Sequence, residues 1–414
     1  MPYVYLLILK GRSHMIKKVM KGKNRNKYQI RIQPTDSVTG KRISWPVQYA
    51  DTKKAAVKIE RQMWQEYESG LNLNDSRVVF AEDFQRYVDQ RAKSISPVTV
   101  RSWQNTANSV KKYFKNAQIK QITTQLIESY AHDYVKNHHA TVSRSSNIAK
   151  ILVHLRNYFK SLEGKVIKEN PVPENALKVF FKKSDFTVPQ EWRIFTKSEL
   201  KQIRNLIMTD LQNNPVQLNG SKLAILIESY TGMRVGELQA LKFSDIVQEK
   251  GYWTFSINDS WSDYTNSFNG SLKARPKGYS RTLLPVPENV IDQVKEYQVA
   301  QKKFLTEYNL SNPLDLIFLS LHDYKRSSNY QPVRQKSIND MLKEICTKLS
   351  IESEGKQMSL YSFRHTVCTQ LASTPEMSYP WAAEKMGHSL NMFMKTYVGL
   401  SQDIEQKMNQ LWVS

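Results

Sequence analysis

Acidic residues are in short supply. The 414-residue chain carries 38 Asp and Glu against 60 Lys and Arg, a formal charge of +22. Such a deficit points to a polyanionic partner, because each phosphate neutralised releases condensed counterions and adds affinity that falls with salt. Ribosomal and membrane-surface proteins share this balance. The content of 40% hydrophobic and 11% aromatic residues argues against a disordered basic tail and allows real cores. Cysteine is scarcer still: Cys346 and Cys368 offer neither a disulfide framework nor metal-ligand spacing, so a reducing, intracellular setting is expected. No apolar run approaches the roughly 18 to 20 residues of a membrane span. The run Val4-Tyr5-Leu6-Leu7-Ile8-Leu9 has no basic residue before it and no small-residue cleavage site after it, which argues against a secretory signal. With Met15 shortly downstream, residues 1–14 read as an upstream-start extension. Repeats, low-complexity tracts, carboxylate clusters, His/Cys spacings and a phosphate-cradling glycine loop are also missing. No metal and no other cofactor is therefore expected.

What is present divides naturally, since a chain of this length exceeds one ordinary core and predicts two or three domains. Residues 15–75 read as a small unit of strands and one helix. Apolar and polar positions alternate in Tyr28-Gln29-Ile30-Arg31-Ile32-Gln33 and in Arg42-Ile43-Ser44-Trp45-Pro46-Val47, with turn composition between them. A helix follows, with Asp51 as its expected cap and Ala56, Ile59, Met63 and Tyr67 on the side that covers the sheet. Arg31 and Arg42 then lie on the open sheet face. A ribbon of strands fits a DNA major groove, and solvated surface strands carry such charges too.

From 78 to 165 the pattern is helical. Ser96-Pro97 supplies a cap and a first-turn proline, after which Val100, Trp103, Ala107, Val110 and Phe114 trace one stripe; Ile148, Ile151, Leu152, Leu155 and Phe159 trace another. These stripes are core, and Arg101, Lys111, Lys112, Lys115 and Lys120 lie off them. Prolines 171, 173 and 189 mark Gly164–Pro189 as a linker. Thr196-Lys197-Ser198-Glu199 has capping-box spacing and opens a further domain near residue 190.

That last domain carries the chemistry. Rejoining DNA strands without an external energy source requires the phosphodiester energy to be stored, and a covalent protein–phosphate bond stores it. A tyrosine serves as nucleophile when fixed cations and donors neutralise the pentacoordinate phosphate. Arginine suits this role, since its planar fork gives two parallel hydrogen bonds and keeps its charge. Arg234 and Arg364 stand in distinctive settings, the former in Thr231-Gly232-Met233-Arg234-Val235-Gly236-Glu237-Leu238 and the latter in Tyr361-Ser362-Phe363-Arg364-His365. Met386-Gly387-His388-Ser389 and Lys395-Thr396-Tyr397 follow. Glu237, one turn beyond Arg234, either orients a catalytic side chain or is simply its intrahelical partner.

On these boxes the chain resembles the tyrosine recombinases of the phage and mobile-element integrase type. The resemblance implies a mainly helical, multidomain protein with small β parts. Its domains would be an α+β arm-binding domain at 15–75 (a three-stranded sheet plus helix), a helical SAM-like core-binding domain at 78–165, and a mostly helical catalytic domain with a β-hairpin at 190–399. It also implies the roles. Arg234 and Arg364 clamp the phosphate, His388 donates to it, and His365 is structural. The interval of nine residues from His388 to Tyr397 matches the family, which singles out Tyr397 among 21 tyrosines as nucleophile. In Leu272–Leu283, read as a β-hairpin, the family's lysine lies four residues before the Arg of Ser280-Arg281-Thr282, hence Lys277; Lys273 competes for the task of protonating the leaving 5′ oxygen. One position departs from the pattern. Where the family usually has a His, three residues before the second arginine, Tyr361 stands, a hydrogen-bond donor that cannot act as a cation.

The stripe Leu400, Ile404, Met408 and Leu411 predicts a C-terminal helical tail at 400–414 that packs either on its own domain or, as the family often does, on a neighbouring protomer. Double-stranded DNA with core and arm sites is the partner implied. A homotetramer on DNA, a host bending protein or excisionase, and a bacterial cytoplasmic, nucleoid-associated location complete the implication. Type IB topoisomerases and chromosome-resolving recombinases share the chemistry without needing the extra small domain. A DNA-binding regulator on an inactive scaffold is the rival of a different class.

Overall fold

The computed structural model describes residues 15–35, 42, 45–68, 77–188, 190–398 and 412–413. The extension at 1–14 and all four residues of the predicted tail stripe lie outside them. The chain forms two compact units, Met1–Pro189 and Gln190–Ser414.

In the first unit, β1 (Met15–Lys18), β2 (Tyr28–Arg31) and β3 (Gln48–Ala50) make an antiparallel sheet in that order, with Ile16 opposite Ile30 and Tyr28 opposite Ala50. The strand predicted at Arg42–Val47 is thus displaced. Pro46 has no N–H for the ladder, and Trp45 is buried edge-on to Tyr67 at 5.6 Å; among the described residues of this stretch, Arg42 pairs through an isolated bridge to Thr35. Helix α1 (Lys53–Glu68) is capped by Thr52 rather than Asp51. The Thr52 hydroxyl accepts from the Ala55 amide at 3.2 Å, while Asp51 pairs with Lys27 at 3.3 Å. Ala56, Ile59, Met63 and Tyr67 cover Ile30 and Ile32 as their spacing predicts. Arg31 and Arg42 are exposed.

The helical part contains α2 (Phe80–Ala92), α3 (Pro97–Phe114), α4 (Thr124–His138), α5 (Asn147–Leu162) and α6 (Ala176–Phe180). Ser96 caps α3 by accepting from the Thr99 amide at 3.4 Å, with Pro97 in the first turn. Both predicted stripes meet in one core around Phe80, Phe84, Tyr158 and Phe159. The segment read as a linker is folded against this core. Val172, Ala176, Phe180 and Phe181 are buried in it, and the Thr187 amide donates to Val142 O at 2.9 Å. Proline stops a helix by removing a donor, but it does not stop the apolar residues beside it from being buried. Arg101, Lys111 and Lys112 are exposed on the bundle surface.

The second unit is built on α8 (Gly220–Thr231), apolar almost all round and buried among α7 (Lys197–Asn213), α12 (Gln335–Lys348) and α13 (Leu360–Ser373). Between α7 and α12 run α9 (Val235–Gln239), α10 (Glu288–Glu307) and α11 (Tyr324–Ser328). The Thr196–Glu199 capping box forms both of its bonds, at 3.2 and 2.7 Å. A sheet of β4 (Ile246–Glu249), β5 (Tyr252–Ile257) and β8 (Arg281–Thr282) flanks the core, with β6 (Trp261–Ser262) and β7 (Ser267–Phe268) forming a small hairpin. Leu272–Leu283 is not a hairpin of its own. Two turns, closed by Arg275 N to Leu272 O and Tyr279 N to Pro276 O, lead into β8, which pairs with β5. Left-handed backbone at Ala274 and Gly278 curls the chain, leaving no extended partner strand. Helices α14 (Tyr379–Met386) and α15 (Leu390–Tyr397) close the unit over a second cluster containing Cys368, Phe393 and Tyr397. No helix among the described residues is long and apolar enough to cross a membrane.

Candidate active site

Helix α8 ends at Gly232, whose φ of +55° favours glycine; its amide donates to Glu228 O at 2.8 Å. A Cβ at Gly232 would stand 3.0 Å from Val367 Cβ and 3.3 Å from Arg364 Cα. Only glycine lets α8 end so close to α13. Arg364, in the second turn of α13 and wholly buried, donates Nη1 to Gly232 O at 2.9 Å. Its Nη2 reaches Met386 O and His388 Nε2.

Arg234 occupies the N-cap position of α9 in extended backbone. Its amide and Nη1 bond the two oxygens of Glu237, each at 3.0 Å, and Nη2 donates to Gly387 O at 2.7 Å. Its side chain is 24% exposed, which makes it the more accessible of the two predicted arginines. Glu237 also binds a third guanidinium, Arg281 Nη2, at 2.7 Å, and Arg281 Nη1 reaches Lys385 O. Glu237 therefore both partners Arg234 within its helix and fixes a second arginine. The carbonyls of Lys385, Met386 and Gly387 each accept from a different arginine, namely Arg281, Arg364 and Arg234.

Burial alone would raise the Glu237 carboxyl, but Arg281 and Arg234 outweigh it and hold the group below its ordinary range. Glu228 has no such bridging partners. Burial lifts its carboxyl well above the usual value against the pull of Arg364, and both oxygens lack a hydrogen-bond partner. For His388, burial and then Arg364, Arg234 and Arg281 lower the imidazole to about 3. A neutral His388 facing a donor-only guanidinium must accept at Nε2, which assigns its proton to Nδ1.

Tyr397, 4% exposed at the end of α15, lies parallel to the His388 ring (5.8 Å, 9°) and 5.5 Å from those of His365 and Phe393. Burial, then the neighbouring Cys368 thiol, pushes its phenol well up. His365 is lowered to about 4 by burial and by Arg364. Tyr361 sits 38% exposed at the start of α13, 4.9 Å from the His365 ring.

The structure thus brings Arg234, Glu237, Arg364, His365, His388 and Tyr397 into one contact network, with Tyr361 at its rim. Lys277 and Lys273 stand exposed on the turns before β8, and no described contact joins either to the network. Sequence reasoning used Arg281 only to count from; its acidic partner is 44 residues away, so no local pattern marks it. Glu228 did carry a signal, as the lone acid directly after the apolar run at 223–227. Among the described residues, no group of three or more His, Cys, Asp or Glu could hold a metal ion.

The depressed imidazoles predict a pH dependence. A histidine whose folded value lies below the unfolded ~6.5 contributes stability above that pH and loses it as pH falls. His365 and His388 act in this sense, whereas Glu228, raised, acts in the opposite one. Two histidines oppose one carboxyl, so net stability of this unit should fall as pH drops below about 6.5. Urea midpoints at pH 7.5, 6 and 5 check it; a midpoint that rises on acidification contradicts the assignment of neutral imidazoles.

Comparison with known proteins accords with this geometry. The phage integrase family matches residues 193–403, and the phage integrase SAM-like domain matches residues 79–182. Transposase A from transposon Tn554 of Staphylococcus aureus is 25% identical over 214 residues, 51% of this chain and 53% of that protein. Tyrosine recombinase XerD of Staphylococcus saprophyticus is 24% identical over 212 residues, 51% of this chain and 60% of that protein. The chain spans about half the length of the curated relatives it matches. The fold is similar to that of the Tn1549 transposon integrase in complex with transposon right-end DNA (TM-score 0.59, 17% identity, 81% of this chain and 99% of that one). It is also similar to that of the XerH site-specific recombinase bound to a palindromic difH substrate (TM-score 0.56, 15% identity, 88% and 90%). With its mainly helical fold and the arginine, histidine and tyrosine boxes gathered in one unit, the chain belongs to the phage integrase family.

Proposed function

We propose that the protein is a site-specific tyrosine recombinase that cleaves and rejoins double-stranded DNA to integrate and excise a phage or mobile element. The observation that carries this reading is the convergence of Arg234, Arg364, His388 and Tyr397 within one network. In the reaction, the Tyr397 oxygen attacks the scissile phosphorus as the P–O5′ bond breaks. This leaves a 3′-phosphotyrosyl link and a free 5′-hydroxyl, and attack by a 5′-hydroxyl in the reverse sense rejoins a strand. One phosphodiester replaces another, so no external energy source is needed. Arg234 and Arg364 neutralise the non-bridging oxygens, and the His388 Nδ1–H, unpartnered in the network, supplies a further donor. Lys277 protonates the leaving oxygen. Its support is the resemblance together with its tether, since four residues extend at most ~14 Å and Arg281 anchors their far end.

Around this centre, the sheet with Arg31 and Arg42 serves as the arm-type DNA-binding domain, and the bundle with Arg101, Lys111 and Lys112 clamps core DNA through phosphates. A homotetramer on DNA, assisted by a host bending protein or excisionase in the bacterial cytoplasm, is the working assembly. The test mixes the full chain, with chelator present, with nicked duplexes drawn from the DNA flanking its gene, followed by denaturing gels. A covalent protein–DNA adduct is expected. Salt-sensitive binding with no adduct on any flank would overturn the reading in favour of a DNA-binding regulator.

A further inference from the structure

Trp192 lies outside both matched segments, one residue before the second begins. Its backbone is nonetheless held on both sides. The Arg193 amide donates to Gln357 O and the Gln357 amide to Glu191 O, each at 2.8 Å, sewing residues 191–193 to the segment that precedes α13. Buried Arg193 then anchors this seam by donating to Glu199 Oε1 at 2.6 Å and Glu352 O at 3.1 Å. A residue with so little freedom delivers its side chain to one place.

That place is the catalytic helix rather than the core. Trp192 belongs to none of the hydrophobic clusters of its unit. Its described ring contacts are with two residues of α13 that flank Arg364. The indole stacks on His365 (5.6 Å, 13°) and meets Tyr361 edge-on (4.9 Å, 65°). Tyr361 in turn meets His365 at 4.9 Å and 70°, so the three rings brace one another. The His365 ring is also 5.5 Å from that of Tyr397, tilted at 58°. A planar stack fixes tilt as well as distance, because ring quadrupoles favour particular orientations.

We propose that Trp192 is a positioning residue for the nucleophile, holding the His365 ring and through it Tyr397, and setting Tyr361 at the rim of the same site. This rests on the assignment of Tyr397 as nucleophile. Attack needs the phenol oxygen in line with the leaving oxygen, and a small error in a reacting group's placement costs rate without costing affinity. The brace explains why a large aromatic stays half-buried beside the site instead of joining a core. It also gives Tyr361 a task that a phenol can perform without a cationic form, as one wall of the brace.

The test uses Trp192→Ala and Trp192→Phe in the full chain, with single-turnover adduct formation on a nicked duplex, duplex affinity and melting temperature measured together. Trp192→Ala should slow adduct formation ~10-fold, the scale of one to two aromatic ring contacts, with affinity nearly unchanged. Trp192→Phe should recover to within ~3-fold of the parent, since it restores a stacking face. A second measurement needs no DNA: NMR titration of His365 should show its value rising toward that of an ordinary histidine in the alanine variant and staying low in the phenylalanine variant. An unchanged adduct rate in Trp192→Ala, a loss of rate matched by an equal loss of affinity, or no recovery with phenylalanine would overturn the proposal. If the parent forms no adduct, the nucleophile assignment fails by itself. An unmoved His365 titration would then sink the brace independently.

Discussion

Replacing Tyr397 by phenylalanine is expected to abolish the covalent adduct while leaving folding and duplex affinity close to those of the parent. The substitution removes one oxygen and keeps the ring that packs on Phe393 and lies parallel to His388. That oxygen's neighbour is the Cys368 thiol, itself pushed up to about 11 by burial and so a neutral, weak partner. Losing such a bond costs at most ~1 kcal/mol. The chemical loss is of another order: without a nucleophile the adduct should drop by at least ~10⁴-fold, to below detection. Denaturing gels and thermal melts run side by side check both halves. An adduct persisting in Tyr397→Phe would transfer the nucleophile's role to another tyrosine, and the network around Arg364 would then have been assigned to the wrong chemistry.

Glu237→Ala is the second large effect, and it falls on stability as well as activity. Glu237 is buried, and its two oxygens bond Arg234 at 3.0 Å and Arg281 at 2.7 Å. Arg281 is itself almost fully enclosed. Removing the carboxylate strands that guanidinium in a poorly solvated site, which typically costs ~3–5 kcal/mol. Arg234 would also lose the anchor for its amide and Nη1, so adduct formation in whatever protein remains folded should fall ~10²-fold or more. Glu237→Gln keeps the acceptor geometry at one oxygen and should lose less stability than alanine. Urea unfolding of the three proteins gives the comparison; an alanine variant as stable as the parent would mean that Arg281 finds its counter-charge elsewhere.

The helices and their caps were legible wherever the signal is local. Trp103, Val110 and Phe114 recur at helical spacing and are buried together. Ser96 and Thr196 cap the helices that their neighbours announce. Legibility failed where a tertiary demand outweighed a local one. Arg42–Val47 alternates like a strand, yet Pro46 and the burial of Trp45 move the pairing to Gln48–Ala50. Prolines 171 and 173 read as a linker because composition does not reveal that Val172 between them packs inward. In the site, the boxes around Arg234, Arg364 and His388 were visible as boxes. Arg281 was not, because the reason for its burial lies at Glu237 and Lys385, far along the chain. Trp192 belongs to no motif, and only the stack on His365 gives it meaning.

The three consecutive carbonyls of Lys385, Met386 and Gly387 set how far apart the positive charges stand. Because peptide groups do the holding, the ruler for that charge spacing is the repeat of the main chain, which every amino acid shares. A change of side chain at Lys385 or Met386 can therefore leave the gauge intact. Chain length cannot drift in the same way: one residue gained or lost between Lys385 and His388 would put each carbonyl beneath the wrong guanidinium. One letter is fixed as well as the number: Gly387 has a φ of +62°, and a Cβ there would stand 3.0 Å from both Arg234 Nη1 and Arg281 Nε.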